Sequence, residues 1–295
     1  VARALLITNP AAARTEPLAV RAVTTTLQAA GWSVEVLATG GPGDARRLAE
    51  YGVADGVDIV AVFGGDGTTM QAAAALVGTD VSLGVIPGGT GNLLAGNLRI
   101  PAAPARAARA LAQGRARRFD LGCMERPDGL QYFAVACGAG YDALVMAGTL
   151  SEHKRRWGIG AYIATTFKLM GELRSSTHLI TIDGAEYEAR AAMVLVANCG
   201  EVIPPLLQLK SGIAPDDGLL DVVAVRADSL PEALRAVWDL LHEGTRNEAL
   251  VGYGRGREVR VESEPVQLVQ LDGEPGGVTP FEARVVPGAI SIVVP

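Results

Sequence analysis

This chain of 295 residues is poor in the residues that most often announce chemistry. It has three cysteines, Cys123, Cys137 and Cys199, an odd number, scattered and each inside an apolar run. They do not make a disulfide framework and fit buried free thiols in a reducing cytosol. The three histidines, His153, His178 and His242, lack metal-ligand spacing, which argues against a zinc site. Basic charge is not in excess: 26 lysines and arginines stand against 32 acids, a net charge of −6. A nucleic-acid partner is disfavoured on that ground, and any attraction to anionic lipid has to be local. No secretory-signal pattern follows Val1, and a start without Met is that of a trimmed sequence. The most tempting membrane segment, Val81 to Leu98, is uncharged but interrupted by Pro87, Gly88, Gly89 and Gly91, so it does not read as a spanning helix. Internal repeats and low-complexity linkers are also lacking. What remains, 49% hydrophobic and 20% charged residues, describes a soluble globular protein long enough for two domains.

The chain is organised around Val60 to Asn92. An apolar run, Val60 to Phe63, stops at Gly64-Gly65-Asp66-Gly67-Thr68, and an Ala-rich helical segment, Met70 to Leu76, follows. Strand, glycine turn, helix is the order that aims backbone N–H groups and a helix N-terminus at an anion. The pattern recurs: Leu83 to Ile86 is a second apolar strand and Pro87-Gly88-Gly89-Thr90-Gly91-Asn92 a second turn. Two such turns at the same ends of neighbouring strands make a two-sided cradle for a polyphosphate. Neither turn is a Walker A loop, because no Lys-Ser/Thr follows the glycines, and neither is G-x-G-x-x-G, which disfavours a dinucleotide-binding oxidoreductase. A carboxylate beside phosphate-binding amides repels phosphate unless a cation sits between them, so Asp66 implies Mg²⁺.

Around this stretch the first part of the chain alternates strand and helix. Ala4–Thr8, Ser33–Leu37 and Val57–Phe63 read as strands; Pro17–Ala30, Asp44–Tyr51 and Ala105–Ala112 read as helices. That rhythm predicts a parallel sheet covered on both faces, with ligands beyond the carboxyl ends of its strands, where Asn9, Thr39, Asp66 and Thr90 fall. Near Asp120 the rhythm changes to alternating apolar runs. Arg117–Met124, Gln131–Cys137, Leu179–Asp183, Glu188–Ala197, Leu219–Val225, Glu258–Glu262, Val266–Leu271 and Ala289–Val294 predict a β-sandwich. One helix interrupts, from the capping box Ser229/Glu232 to Gly244. The expected organisation is an α/β nucleotide-binding domain over residues 1–120 and a β-rich domain over 121–295, with the return of the last strand to the first domain left open.

GGDGT followed by PGGTGN resembles the catalytic domain of the diacylglycerol kinase family, which includes sphingosine and ceramide kinases and soluble bacterial lipid kinases. The resemblance runs from Asn9 to Glu274. It implies an NAD kinase/diacylglycerol kinase-like α/β domain with a parallel sheet, a C-terminal β-sandwich, and ATP in the cleft between them. It also implies transfer of the γ-phosphoryl group to a lipid hydroxyl, with Mg²⁺, in the cytoplasm and peripherally at the inner membrane surface. The nucleotide side would comprise Asn9, Thr39, Gly64, Gly65, Asp66, Gly67, Thr68, Gly89, Thr90 and Asn92. The family's Asn-Pro-x-Ser-Gly is here Asn9-Pro10-Ala11-Ala12-Ala13, without the hydroxyl and the glycine. Thr39 stands at the family's nucleotide-contacting threonine, and equally reads as a simple strand end. Asp120, in Phe119-Asp120-Leu121-Gly122, stands at an acidic position that would support the Asp66 metal network, and equally reads as a strand-end Asp.

In the second domain the resemblance implies a structural Mg²⁺ in Ala214-Pro215-Asp216-Asp217-Gly218-Leu219, held by the Asp217 carboxylate and the carbonyls of Ala214 and Leu219. Glu274, in Asp272-Gly273-Glu274, would be the general base, with Asp272 its competitor; both acidic turns also read as hairpin corners. Gly138 to Asp142 resembles a family glycine motif opening a long helical region. There His153 to Trp157, beside the apolar Ala161–Met170, reads as a membrane-surface contact or as a solvated helix end. Val202 to Leu207 reads as an acyl-chain entrance or as sandwich interior. A homodimer is left open. One departure is Leu93, where bacterial diacylglycerol kinases of the family carry Asp after the second turn's Asn; sphingosine kinases are apolar there. It leaves the lipid less determined than the class. The rival readings are an NAD kinase-like phosphotransferase on a soluble acceptor and a silent nucleotide-binding regulator.

Overall fold

The computed structural model describes residues 1–126, 129–140, 175–203, 207–209, 212–226, 229, 232 and 251–295. The chain divides into two compact units, Val1–Phe119 with Gly288–Pro295, and Asp120–Pro287.

In the first unit β1 (Arg3–Thr8), α1 (Pro17–Ala29), β2 (Ser33–Ala38), α2 (Asp44–Ala54), β3 (Ile59–Gly64), α3 (Asp66–Leu76) and β4 (Ser82–Pro87) alternate, followed by the short α4 (Leu93–Asn97) and α5 (Pro104–Gln113). The sheet order β2-β1-β3-β4 is parallel throughout. Its central strands are buried on both faces: Leu5, Leu6 and Ile7 of β1 and Val60 to Phe63 of β3 are fully enclosed. This explains their continuous apolar runs, since helices cover both sides of a parallel sheet. Beyond β4 the sheet gains the end of the last strand, with Ser291 and Ile292 opposite Ser82 and Leu83. Helix α3 starts at Asp66, four residues before the expected Met70. Gly65 is its N-cap in extended backbone (φ −91°, ψ −178°), so Asp66, Gly67 and Thr68 form the first helical turn. An acid in that turn complements the helix dipole, which favours an early start.

The second unit is antiparallel. β5 (Arg115–Arg126), which begins in the first unit, pairs with β6 (Gly129–Phe133) and with the last strand; then come β7 (Ala136–Gly140), β8 (Ser176–Ile182), β9 (Ala185–Ala191), β10 (Met193–Ala197), β11 (Glu201–Ile203), β12 (Leu207–Gln208) and β13 (Leu220–Val225). They are completed by β14 (Val251–Gly256), β15 (Glu258–Glu264), β16 (Leu268–Leu271), β17 (Glu274–Val278) and β18 (Phe281–Val294). One sheet runs β18-β15-β8-β9 and the facing one β14-β13-β10-β7-β16-β17. Between them lies a core that includes Met124, Phe133, Ile180, Val196, Val222, Val261 and Phe281. The run Gln131–Cys137, expected as one strand, is two, β6 and β7, with Ala134 and Val135 in a bend between them. The run Glu188–Ala197 likewise breaks at Ala192 into β9 and β10. Gly138 to Gly140 belong to β7; Tyr141, Asp142, the basic cluster at 153–157, the apolar stretch at 161–170 and most of the helix expected at 229–244 lie outside the described residues, as does Pro204–Leu206 of the proposed entrance.

Candidate functional site

The carboxyl ends of the parallel strands bring the first set of expected residues together. Thr8 lies opposite Ala38 and Phe63, and Gly64 opposite Pro87, so Thr39, Asn9, Gly65 and Gly88 each follow directly on one edge of the sheet. Asn9 donates its side-chain amide to Thr68 Oγ1 (2.9 Å), and its Oδ1 accepts the Ala11 N–H (3.0 Å). Its carbonyl is held by the Thr15 hydroxyl (2.5 Å). The loop after β1 thus stays ordered without the family's Ser and Gly, through Asn9 and Thr15. Thr39 donates its backbone N–H to Thr8 O (2.9 Å), and among the described residues its side chain makes no contact that distinguishes a ligand role from a strand end.

The two glycine turns touch. Gly88 N–H donates to Gly64 O (2.7 Å), and a Cβ placed on Gly89 would fall 2.7 Å from Gly65 Cα. No side chain fits on Gly89 there, whereas a Cβ on Gly65 would meet Gly89 Cα at an ordinary 3.5 Å, so the crossing requires glycine in the second turn only. Asn92, in left-handed backbone (φ 53°), spans its own turn: Oδ1 accepts Gly89 N–H (2.9 Å) and Nδ2 donates to Gly89 O (2.8 Å). Asp66 then clasps one turn to the other, its Oδ2 accepting Asn92 N–H and its Oδ1 Leu93 N–H, each at 2.7 Å. Burial pushes the Asp66 carboxyl above its ordinary pKa, opposed by these amide donors. What Leu93 contributes is its backbone. The N–H groups of Gly67 and Thr68, in the first turn of α3, are those a helix leaves without intrahelical acceptors. They are the donors on which the expected anion-binding face rests.

Besides Asn92 and Leu93, the N–H groups of Leu94 and of Asp66 itself also stabilise this carboxylate. As the acid at the carboxyl edge of the parallel sheet, Asp66 would be the residue to hold a Mg²⁺, with phosphate oxygens and water completing its shell. The loop at 214–219 is different. Asp217 Oδ1 accepts Leu219 N–H (3.0 Å), and Oδ2 is paired with the Arg255 guanidinium. The same guanidinium reaches Asp221, which is buried and also accepts the Tyr253 hydroxyl (Arg255 Nε to Asp221 Oδ1, 3.4 Å). Burial and that bond to Asp221 push the Tyr253 hydroxyl up to about 12. A guanidinium stands where the expected ion's charge would be, so this donor set as it stands does not fit a resident Mg²⁺. Asp120 belongs to the same loop: its Oδ2 accepts Gly218 N–H (2.6 Å) and its N–H donates to Pro215 O (2.7 Å). Arg255 escaped the sequence reading because it lies on β14, a strand not expected there; only the alternation of glycine and bulky residues in Val251–Gly256 hinted at one.

Glu274 opens β17, exposed, and among the described residues its carboxylate takes no hydrogen bond. Asp272, two positions earlier, turns its carboxylate onto backbone amides of the β6–β7 bend, at Ala134 (2.7 Å), Val135 (2.9 Å) and Ala136 (2.9 Å). The strand β17 itself was missed, because Glu274-Pro275-Gly276-Gly277 reads as a turn. It is an edge strand, where a Pro without N–H and flexible glycines are tolerated.

Comparison with known proteins agrees with this geometry. Residues 3–124 match the family model for the diacylglycerol kinase catalytic domain, and residues 135–294 that for the YegS C-terminal NAD kinase beta sandwich-like domain. A protein of Mycobacterium tuberculosis (strain ATCC 25618 / H37Rv) named diacylglycerol kinase is 32% identical over 277 residues, covering 90% of this chain and 86% of the relative. A Pseudomonas fluorescens (strain Pf-5) protein named probable lipid kinase YegS-like is 32% identical over 297 residues, 99% of this chain and 95% of its own. An uncharacterized Synechocystis protein is longer, the chain spanning 58% of it at 28% identity. The solved structure of a candidate diacylglycerol kinase of Bacillus anthracis str. Sterne superposes with a TM-score of 0.85 at 27% identity, over 99% of this chain and 97% of that one. With a parallel α/β unit carrying the paired glycine turns and a β-sandwich unit carrying the Asp-Gly-Glu turn, the chain belongs to the diacylglycerol kinase-like family of lipid kinases.

Proposed function

We propose that the chain transfers the γ-phosphoryl group of ATP, with Mg²⁺, to the hydroxyl of a lipid, diacylglycerol or a close relative. The observation that carries this reading is the clasp of two glycine turns by Asp66 at the carboxyl ends of parallel strands. Phosphoryl transfer asks a protein for positioning and charge neutralisation more than for covalent chemistry. In this reading Gly64, Gly65, Gly67, Thr68 and Thr90 line the phosphates with backbone N–H groups, and Gly89, whose own N–H is taken by Asn92 Oδ1, keeps the second turn bare for their approach. Asn9 and Asn92 hold the turns that carry them, and Thr39 flanks the nucleotide. Asp66 both fixes the second turn and offers a carboxylate to the metal; Mg²⁺, when bound, spreads the charge that develops on the phosphate oxygens. Glu274 takes the proton of the lipid hydroxyl as that oxygen attacks phosphorus. Asp120 and Asp217, with the carbonyls of Ala214 and Leu219, we assign to the fold of the loop at 214–221, stabilised by Arg255. A lipid acceptor entails transient contact with a membrane surface.

The test is a transfer assay. The purified protein is incubated with γ-labelled ATP and Mg²⁺ against diacylglycerol, ceramide, sphingoid bases and NAD in parallel. Label in an organic-extractable phospholipid, strongest from diacylglycerol, is the expected result. Label on NAD, or on no acceptor at all, overturns the reading.

A further inference from the structure

We infer that Asp272 is a positioning residue for catalysis: by gripping three consecutive backbone amides it fixes the stance of Glu274, on the reading of Glu274 as the base given above. β16 and β17 are joined by a two-residue hairpin, Asp272-Gly273, with φ of 46° and 83°. Positive φ at both central residues is the mark of a type I′ turn, which Asp-Gly accommodates. Glu274 is the next residue, paired with Leu271 across the mouth of the turn. The hairpin is tied into its sheet through β16, which pairs with β7, while β17 has, among the described residues, only β16 as a ladder partner. A base displaced by a fraction of an ångström loses its effect, so the turn needs an external hold.

Asp272 supplies it. Oδ2 accepts Ala134 N–H (2.7 Å), Oδ1 accepts Val135 and Ala136 N–H (2.9 Å each), and the Asp272 N–H donates back to Ala136 O (2.9 Å). Successive amides converging on one carboxylate form a strong anion site, here filled by the protein's own side chain. The amides are themselves anchored. The carbonyl of Val135 accepts the N–H groups of Asn198 (2.8 Å) and Cys199 (3.0 Å), and buried Asn198 donates its side-chain amide to Ala134 O (2.9 Å). On the other side of the turn, Gly273 N–H donates to Oε1 of the buried Gln270 (2.8 Å). Residues far apart in sequence thus converge on the one turn that carries Glu274, and their bonds end on its backbone and on Asp272. The Asp272 oxygens face the backbone while Glu274 is exposed. The two acids of the turn divide the work, one holding and one reaching.

Steady-state transfer from ATP to diacylglycerol in mixed detergent micelles tests this with Asp272→Asn, Glu274→Gln and the double variant. Asn tolerates the left-handed backbone and can keep Oδ1 on Val135 and Ala136, but it sets an NH₂ against Ala134 N–H and removes the negative charge, so the turn survives and the grip is weakened. Expected is a fall in kcat of about 10–100-fold with the KM for ATP unchanged, and no further fall when Asp272→Asn is added to Glu274→Gln. If Glu274→Gln is crippled while Asp272→Asn turns over as the parent does, the inference fails and the base assignment stands. If the two losses multiply in the double variant, Asp272 acts on its own and the inference fails again. If Glu274→Gln itself is unaffected, it is the base assignment that falls. Should Asp272→Asn not fold, Gln270→Leu removes the second hold alone. It must then lower kcat at constant ATP KM and be silent in the Glu274→Gln background; an undiminished kcat in Gln270→Leu overturns the proposal.

Discussion

Each unit of this protein has an aspartate that ties one loop to the backbone of another, and the two do it under different conditions. Asp66 starts a helix at the edge of a parallel sheet, and its partners, Asn92 and Leu93, open the next helix. The two loops already touch through glycine, so the carboxylate closes a contact made by backbone. Asp272 sits in a hairpin of an antiparallel sandwich and reaches a bend far back in the chain, where its carboxylate adds three amide bonds to the single backbone bond from Asp272 N–H to Ala136 O. On the proposed reading the first site gives one carboxylate both a structural and a chemical task. In the second they are separated between neighbours. In both, one backbone bond sets the loops side by side and a carboxylate multiplies the hold.

The sharpest way to break the comparison is at Asp66. Asp66→Ala should lower turnover by roughly 10²–10³ while the protein stays folded, because it removes both the clasp and the carboxylate offered to the metal. Parent-like turnover would mean that glycine contact alone sets the cradle. Next in size is a pair of glycine variants. Gly89→Ala places its Cβ 2.7 Å from Gly65 Cα and should lower the melting temperature without any ligand, whereas the Cβ of Gly65→Ala meets Gly89 Cα at an ordinary 3.5 Å and should not. Both should weaken ATP binding, Gly65→Ala only because phosphate approaches that Cα. If Gly65→Ala is the less stable variant, the description of the crossing is wrong.

A smaller effect is expected from Arg255→Ala. It leaves the buried Asp221 without its cation and should cost about 1–3 kcal/mol, less than a fully buried pair because Arg255 is partly exposed. The vacated carboxylates should then bind Mg²⁺, so the variant's melting temperature rises with Mg²⁺ while the parent's, without ATP, does not respond. A Mg²⁺ response in the parent that Asp217→Ala abolishes would put an ion in this loop after all.

The smallest effect is a pH dependence. His178 is fully buried, with Nε2 against the Ala191 carbonyl (3.1 Å) and Nδ1 against the Ser263 hydroxyl (2.8 Å), an arrangement for the neutral ring protonated at Nε2. Burial lowers its pKa below the ordinary 6.5. The unfolded chain therefore takes up a proton that the folded one refuses. Stability is whole above pH 6.5 and is lost as pH falls from there toward the folded value, at up to about 1.4 kcal/mol per pH unit for one proton. Denaturant titrations at several pH values should show that slope in the parent and a reduced one in His178→Gln.

Periodicity made the first unit legible, since buried parallel strands are written as continuous apolar runs. The second unit's strands were found mostly where side chains alternate, and misjudged where a tertiary contact decided the local structure. No sequence pattern distinguishes Ala134 and Val135 from strand interior; the break between β6 and β7 coincides with Asp272, far along the chain, taking their amides. Pro275 and the two glycines after it look like a turn unless one knows that the strand lies at an edge. The candidate site divides in the same way. Its glycines and acids were visible as motifs, but whether an acid holds backbone, a cation or a proton depends on partners the motif does not contain. Arg255 is the clearest instance, since it neutralises two aspartates from a strand on which nothing in its own neighbourhood announces the task.

β18 carries a consequence for biosynthesis. Its first residues belong to one unit and its last, from Gly288, to the other, where Ser291 bonds the hydroxyl of Ser82 (2.9 Å) and Ala289 O accepts Gly78 N–H (3.1 Å). Most of the first unit leaves the ribosome early, yet one strand of its sheet is translated only after the whole of the second. Until then the outer edge of β4 is an open row of hydrogen-bonding groups on a nascent chain, the kind of surface that chaperones cover and that neighbouring chains invade. The sheet of the first unit is therefore encoded early and sealed late, and a chain that ends before Gly288 carries both glycine turns on an unsealed sheet.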